Sequence, residues 1–104
     1  MIARLWRGRT KADRAEAYRE YLFATGVRSC RNTPGNRGVY VLRRTHEGVA
    51  EFVFISLWES LEAIRAFAGQ DLERAVYFPE DVRFLLEMEP NVSHFEVFAE
   101  PEAR

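Results

Sequence analysis

From Phe52 to Trp58 the chain reads FVFISLW, apolar at every position except Ser56. A strand with one face in water alternates apolar with polar residues, whereas a nearly unbroken apolar run needs cover on both faces of its sheet. Glu59-Ser60 then turns the chain into an amphipathic helix with Ile64, Phe67 and Ala68 on one side. Ser60 is its predicted cap, and Gly69 marks its end. A chain of 104 residues has too few helices to cover both sheet faces. The pattern therefore predicts that a second copy supplies the missing cover.

The remaining pattern fills in the other elements. Ile2 to Gly8 predicts a first strand, with Ile2, Leu5 and Trp6 apolar and Arg4 and Arg7 interrupting. Thr10 is placed to cap a helix from Lys11 to Val27, whose Ala15, Tyr18, Leu22 and Thr25 recur at steps of three and four. Gly26 is its expected terminator. Thr33-Pro34-Gly35-Asn36 is a turn. Gly38 to His46 and Ala50 to Trp58 form an antiparallel pair joined by His46-Glu47-Gly48. A helical turn is predicted for Asp71 to Tyr77, Pro79 interrupts it, and a short helix with Val82, Leu85 and Leu86 follows from Glu80 to Glu89. Asn91 to Ala99 predicts the last strand, and Glu100 to Arg104 a frayed tail.

This order predicts one α+β domain over residues 1–104: a ferredoxin-like, four-stranded antiparallel sheet with helices on one face. Both parities of the third strand are apolar, Val53, Ile55 and Leu57 against Phe52, Phe54 and Trp58. A bare second face would exceed the few hundred Å² of apolar surface that a monomer tolerates. A homodimer through that face follows.

Composition narrows the function classes. Fifteen Lys and Arg balance 16 Asp and Glu, which argues against a nucleic-acid binder. No stretch approaches the roughly 20 apolar residues of a membrane span, and Arg4, Arg7 and Arg9 interrupt any signal-peptide core. The single Cys30 allows no intramolecular disulfide and fits a reducing compartment, so a cytoplasmic location is expected. Two histidines and one cysteine, none at ligand spacing, give a zinc or other metal site no support.

The strand ending Ser56-Leu57-Trp58-Glu59-Ser60 and the helix Glu62-Ala63-Ile64-Arg65-Ala66-Phe67 resemble the antibiotic-biosynthesis-monooxygenase (ABM) superfamily of dimeric α+β barrels. Element order and hydrophobic pattern extend the resemblance from Ile2 to Phe98. It implies a pocket between sheet and helices and, in one branch, a monooxygenase that uses no cofactor. Such an enzyme takes an electron-rich aromatic or quinol-like compound whose deprotonated form can pass an electron to oxygen. The protein supplies an apolar box, a base and groups that stabilise the anion. The alternative is a non-catalytic dimeric module for a small hydrophobic ligand or haem. Haem-degrading members use an asparagine on the first strand, a tryptophan on the second helix and a histidine just beyond it. Here the first strand has no asparagine, Phe67 stands where that tryptophan would be, and Tyr77 falls near the histidine position. Tyrosinate can ligate ferric haem, which leaves haem binding open.

Six residues become candidates. Trp58 closes the third strand either as a core aromatic or as a pocket wall beside Phe67. Tyr77 and Phe78 precede Pro79 in an irregular stretch suited to a pocket mouth. Arg4 either pairs with a carboxylate such as Glu96 or holds a substrate anion. His94, on a strand, is the candidate base, with a structural role as the alternative. Pro79-Glu80-Asp81 reads as an acidic rim, and Cys30, with Arg28 and Arg31 near it, reads as an ordinary thiol whose pKa the arginines could lower.

Overall fold

The computed structural model describes residues 1–101. Strand β1 spans Ile2–Lys11 and is followed by a helical segment: a short 3-10 turn at Ala12–Arg14, helix α1 at Ala15–Leu22, a π turn at Phe23–Val27 and helix α2 at Arg28–Arg31. Strands β2 (Asn36–His46) and β3 (Val49–Trp58) form the hairpin, helix α3 spans Leu61–Ala68, and β4 spans Ser93–Glu96. The sheet order is β2-β3-β1-β4, antiparallel at every pairing. This is the ferredoxin-like α+β arrangement, with both helical segments on one side.

Register explains how β3 can be apolar throughout. Its burial alternates strictly, with Ala50, Phe52, Phe54, Ser56 and Trp58 buried under the helices and the intervening residues only partly covered. Pairing places Arg4 beside Ser56 and Trp6 beside Phe54 on the helical side. The core there joins Tyr18, Leu22, Val27, Phe52, Trp58 and Ile64. On the opposite side, register aligns Tyr40, Ile55 and Leu5 in one row and Gly38, Leu57, Ala3 and Phe95 in the next. Tyr40, Leu42 and Phe95 are 47%, 48% and 55% exposed on this side. Toward the hairpin the same side turns charged, where Glu51 pairs with both Arg7 and Arg44.

Five expectations are corrected. Thr10 caps nothing: it is fully buried in β1 and its hydroxyl donates to the Lys11 carbonyl. Gly26 does not end the first helical segment, which continues to Arg31. Its lack of a side chain serves packing instead, because a Cβ would stand 3.2 Å from Cε2 of Phe54. Asp71 to Tyr77 contains no helix, and Arg74 bridges Asn91. The helix expected from Glu80 to Glu89 shrinks to a 3-10 turn, Asp81–Arg83. The edge of β1 captures the rest: Leu85 bridges Thr10, and the Leu86 N–H donates to the Arg9 carbonyl. The last strand is likewise shorter than Asn91–Ala99. Ser60 does cap α3, accepting from the Ala63 N–H, and Gly69 ends it at φ 87°. The expected tail lies partly outside the described residues.

Candidate functional site

A pocket opens between sheet and helical layer. Arg4 and Trp6 of β1 and Phe54 and Ser56 of β3 form its floor, the α1–α2 segment contributes Tyr18, Leu22, Thr25, Gly26 and Cys30, and α3 contributes Phe67. Val76, Tyr77, Phe78, Asp81 and Val92 close the side. The space it encloses is small, about 50 Å³, and its mouth opens to solvent. The π turn belongs to this wall, and such turns recur at functional sites.

Arg4 is 4% exposed and has no carboxylate partner among the described residues. Its Nη1 donates to the Leu72 carbonyl (2.5 Å) and to Nε2 of His94 (3.1 Å), and its Nη2 donates to the Arg74 carbonyl (2.7 Å). The anticipated pair with Glu96 does not form. Register sets Arg4 opposite His94 and Glu96 opposite Ile2. Burial pulls the guanidinium below its ordinary pKa, yet an arginine stays charged in proteins. The Phe67 ring lies 5.8 Å from its Cζ.

Asp81 is the second buried charge, also 4% exposed. It is inside the pocket wall, not on an acidic rim. One carboxylate oxygen accepts from the Tyr18 hydroxyl (2.9 Å) and the other from the Phe78 N–H (2.7 Å). Burial raises its pKa, and those two donors only partly oppose the rise. Tyr18 is pushed upward by its own burial and then by Asp81. Cys30 is buried and pushed up to about 12, with Arg4 opposing, so it is a neutral thiol. Neither Arg28 nor Arg31 contributes to that value, contrary to expectation.

The candidates separate in the structure. Arg4, Phe67, Tyr77 and Phe78 line one pocket, while Trp58 and His94 do not line it. Trp58 is fully buried behind Phe67, stacked at 5.6 Å, with its N–H donating to Ser56 Oγ. The nitrogen that His94 would use as a base accepts from Arg4, and burial followed by Arg4 lowers its pKa. The Tyr77 hydroxyl accepts from Trp6 Nε1 (3.1 Å) and donates to the Glu89 carbonyl (2.5 Å). Its pKa is raised by burial. A phenol spent on these two bonds and held protonated does not fit the role of a tyrosinate haem ligand.

Sequence reasoning missed Asp81, Trp6 and Ser56 as pocket residues. Trp6 and Ser56 were legible once Arg4 faced inward, since Trp6 is two residues along the same strand and Ser56 is the sole polar break in β3. Nothing local in the sequence distinguishes Asp81 from its exposed neighbour Glu80.

The fold and pocket define a ferredoxin-like α+β domain, and the comparisons narrow it. The family profile "Antibiotic biosynthesis monooxygenase" (ABM) matches residues 1–77. The chain belongs to that family. Among solved structures it is similar to a Nitrosomonas europaea protein carrying the antibiotic-biosynthesis-monooxygenase name, with TM-score 0.67, 14% identity and 95% and 100% of the two chains covered. A Bacillus cereus protein of the same name gives TM-score 0.62 and 18% identity over 98% and 97%. MhuD, a haem degrader from Mycobacterium tuberculosis solved with two haems in its active site, gives TM-score 0.59 and 22% identity over 98% and 100%. At these identities the likeness is one of fold. No curated protein matches the chain.

Proposed function

We propose that this ABM-family protein is a cofactor-independent monooxygenase acting on a small electron-rich aromatic or quinol-like compound. The observation that carries the reading is Arg4, a buried cation with neutral partners only, set in the wall of an aromatic pocket. A buried charge without a counter-charge is costly, and the cost falls when an anion arrives. A substrate that becomes an enolate or phenolate supplies that anion only after deprotonation, so Arg4 favours the reactive form. The anion passes an electron to oxygen; recombination converts the CH₂ of an anthrone to C=O, or a ring C–H of a quinol to the C–OH of a hydroxyquinone, and releases one water, consuming one O₂ and no external reductant. Trp6, Phe54, Phe67 and Phe78 provide flat apolar walls that keep water from the reacting carbon.

The haem-binding alternative has a solved relative in its favour but lacks a fitting ligand at Tyr77. A homodimer through the helix-free sheet side belongs to the same proposal. Its support is the apolar patch around Tyr40, Leu42, Ile55 and Phe95. Oxygen uptake against a panel of anthrones and hydroquinones tests the reaction. One O₂ per ketone or hydroxyquinone formed, abolished in Arg4→Met, is the expected result. No uptake with any member of the panel sinks it.

A further inference from the structure

We infer that the pocket is built for a ligand with two polar ends, an anionic group held by Arg4 and a hydroxyl donated to Asp81: a small hydroxylated aromatic acid. The inference rests on the small-molecule reading of the pocket but not on turnover.

Arg4 and Asp81 both keep unused hydrogen-bonding capacity. A guanidinium has five N–H groups, and an ionised carboxylate accepts at about four lone-pair positions. Arg4 spends three N–H groups, on Leu72, His94 and Arg74, leaving Nε–H and one Nη2–H. Asp81 accepts from Tyr18 and Phe78, which leaves about two positions free. At 4% exposure each group has little contact with bulk water. The two do not complete each other either, since no ion pair joins them. Both line the same cavity. A pocket lined by aromatic rings, with spare donors on Arg4 and spare acceptors on Asp81, has the complement of a hydroxybenzoate, not of a hydrocarbon or a simple carboxylate.

A purely structural role for Asp81 would be to fasten the Phe78–Asp81 turn. One carboxylate oxygen suffices for that, and the Phe78 N–H already occupies it. The other oxygen is turned inward, to Tyr18 in the core. Sites that hydrogen-bond a ligand hydroxyl reject analogues lacking it, because the buried partner is then left unpaired.

Titration calorimetry under argon tests this with benzoate, phenol, meta- and para-hydroxybenzoate and para-methoxybenzoate as probes. At least one hydroxybenzoate should bind the wild-type chain about tenfold or more tightly than benzoate, phenol or the methoxy compound. Asp81→Asn should erase the preference for hydroxyl over methoxy while keeping that for acid over phenol, and Arg4→Met should do the reverse. If Asp81→Asn fails to fold, the wild-type hydroxy-to-methoxy ratio alone decides. Equal binding of the hydroxy and methoxy compounds overturns the inference, and so does an absence of binding by every probe. Oxygen uptake with anthrones alongside either result would leave the oxygenase reading standing and this one refuted. Tenfold selectivity without any uptake would do the opposite.

Discussion

Arg4 and His94 face each other across β1 and β4, with Arg4 Nη1 donating to His94 Nε2 at 3.1 Å. The bond exists only while that nitrogen keeps its lone pair, so the folded chain holds His94 neutral, with its proton on Nδ1. Burial, and then the Arg4 charge, lowers the imidazole below its ordinary 6.5, against a weaker opposing pull from Glu73.

The sign of the pH effect follows. Between the native value and 6.5, the unfolded chain holds a proton that the folded chain does not, so stability falls as pH drops through that window. His94→Gln, whose side-chain oxygen can still accept from Arg4, should lose this component. Thermal melts from pH 8 to pH 5, read as the difference between variant and wild type, are expected to converge on the acid side in favour of the variant. Parallel curves would show that the imidazole is solvated in the folded chain.

Arg4 also fastens the segment after α3 through the Leu72 and Arg74 carbonyls. Arg4→Met keeps the stem and removes every donor. Orphaned, partly buried carbonyls cost at most about 1–3 kcal/mol each, since some will find water. The expected loss of stability is about 1–3 kcal/mol by denaturant titration. Limited proteolysis should cut first between residues 70 and 76. Arg4→Lys should recover part of the stability, because an ammonium can reach one carbonyl but not fork between two.

Much of this architecture was legible in the sequence, and the limits have physical causes. The unbroken apolar run of β3, the Ser60 cap and the Glu47-Gly48 turn are local signals, and each forms as expected. The stretch from Asp71 to Asn91 has helical composition, but its backbone is claimed by long-range partners. Leu86 bonds Arg9, Val92 bonds Glu73, and Ala75 bonds Pro90. No window of sequence reveals such competition. The pocket divides the same way. The inward face of Arg4 follows from strand parity once the sheet exists, whereas the burial of Asp81 depends on Tyr18, 63 positions away.

Asp81→Asn should raise stability near neutrality while weakening ligand binding. Burial makes the native carboxyl hold its proton more tightly than the unfolded chain does. Wild-type stability therefore falls as pH rises from the ordinary 3.8 through the raised native value, and above that value the penalty is fully present. Asparagine removes the charge, and the Tyr18 hydroxyl can turn to accept from its amide. A rise in Tm at pH 7 that shrinks toward pH 4 is the expected result. A lower Tm at pH 7 would mean that the ionised carboxylate is a net stabiliser of the turn.

Gly8 sits under the Trp6 indole, where a Cβ would stand 2.2 Å from Cη2. Gly8→Ala must push the ring aside, breaking the Trp6–Tyr77 bond at the pocket wall. Since only one side chain has to move, the fold should survive with a loss of about 1–3 kcal/mol, as for other overpacking changes. Ligand affinity should drop and tryptophan emission shift. Unchanged emission together with unchanged affinity would show that Trp6 does not shape the pocket.

The helix-free side of the sheet gives the last prediction, because its two halves differ in kind. Near the hairpin, Arg7, Arg44 and Glu51 satisfy one another and are at ease in water. Toward β4, the rows through Ile55 and Leu57 carry Leu5, Ala3, Tyr40 and Phe95 with no charge among them. If two copies join here, a carboxylate at Ile55 would be buried opposite its own symmetry mate without a counter-charge, and such a site strongly opposes association. In a lone chain, Ile55 is only partly covered, and glutamate there would be hydrated at modest cost. Ile55→Glu should therefore halve the mass measured by sedimentation at micromolar concentration and leave the monomer's helical signal intact. Arg7→Glu, in the charged half, should leave the dimer together. Equal effects from both variants would mean that the interface does not follow the apolar patch, and a wild-type mass near 12.1 kDa would remove the dimer altogether.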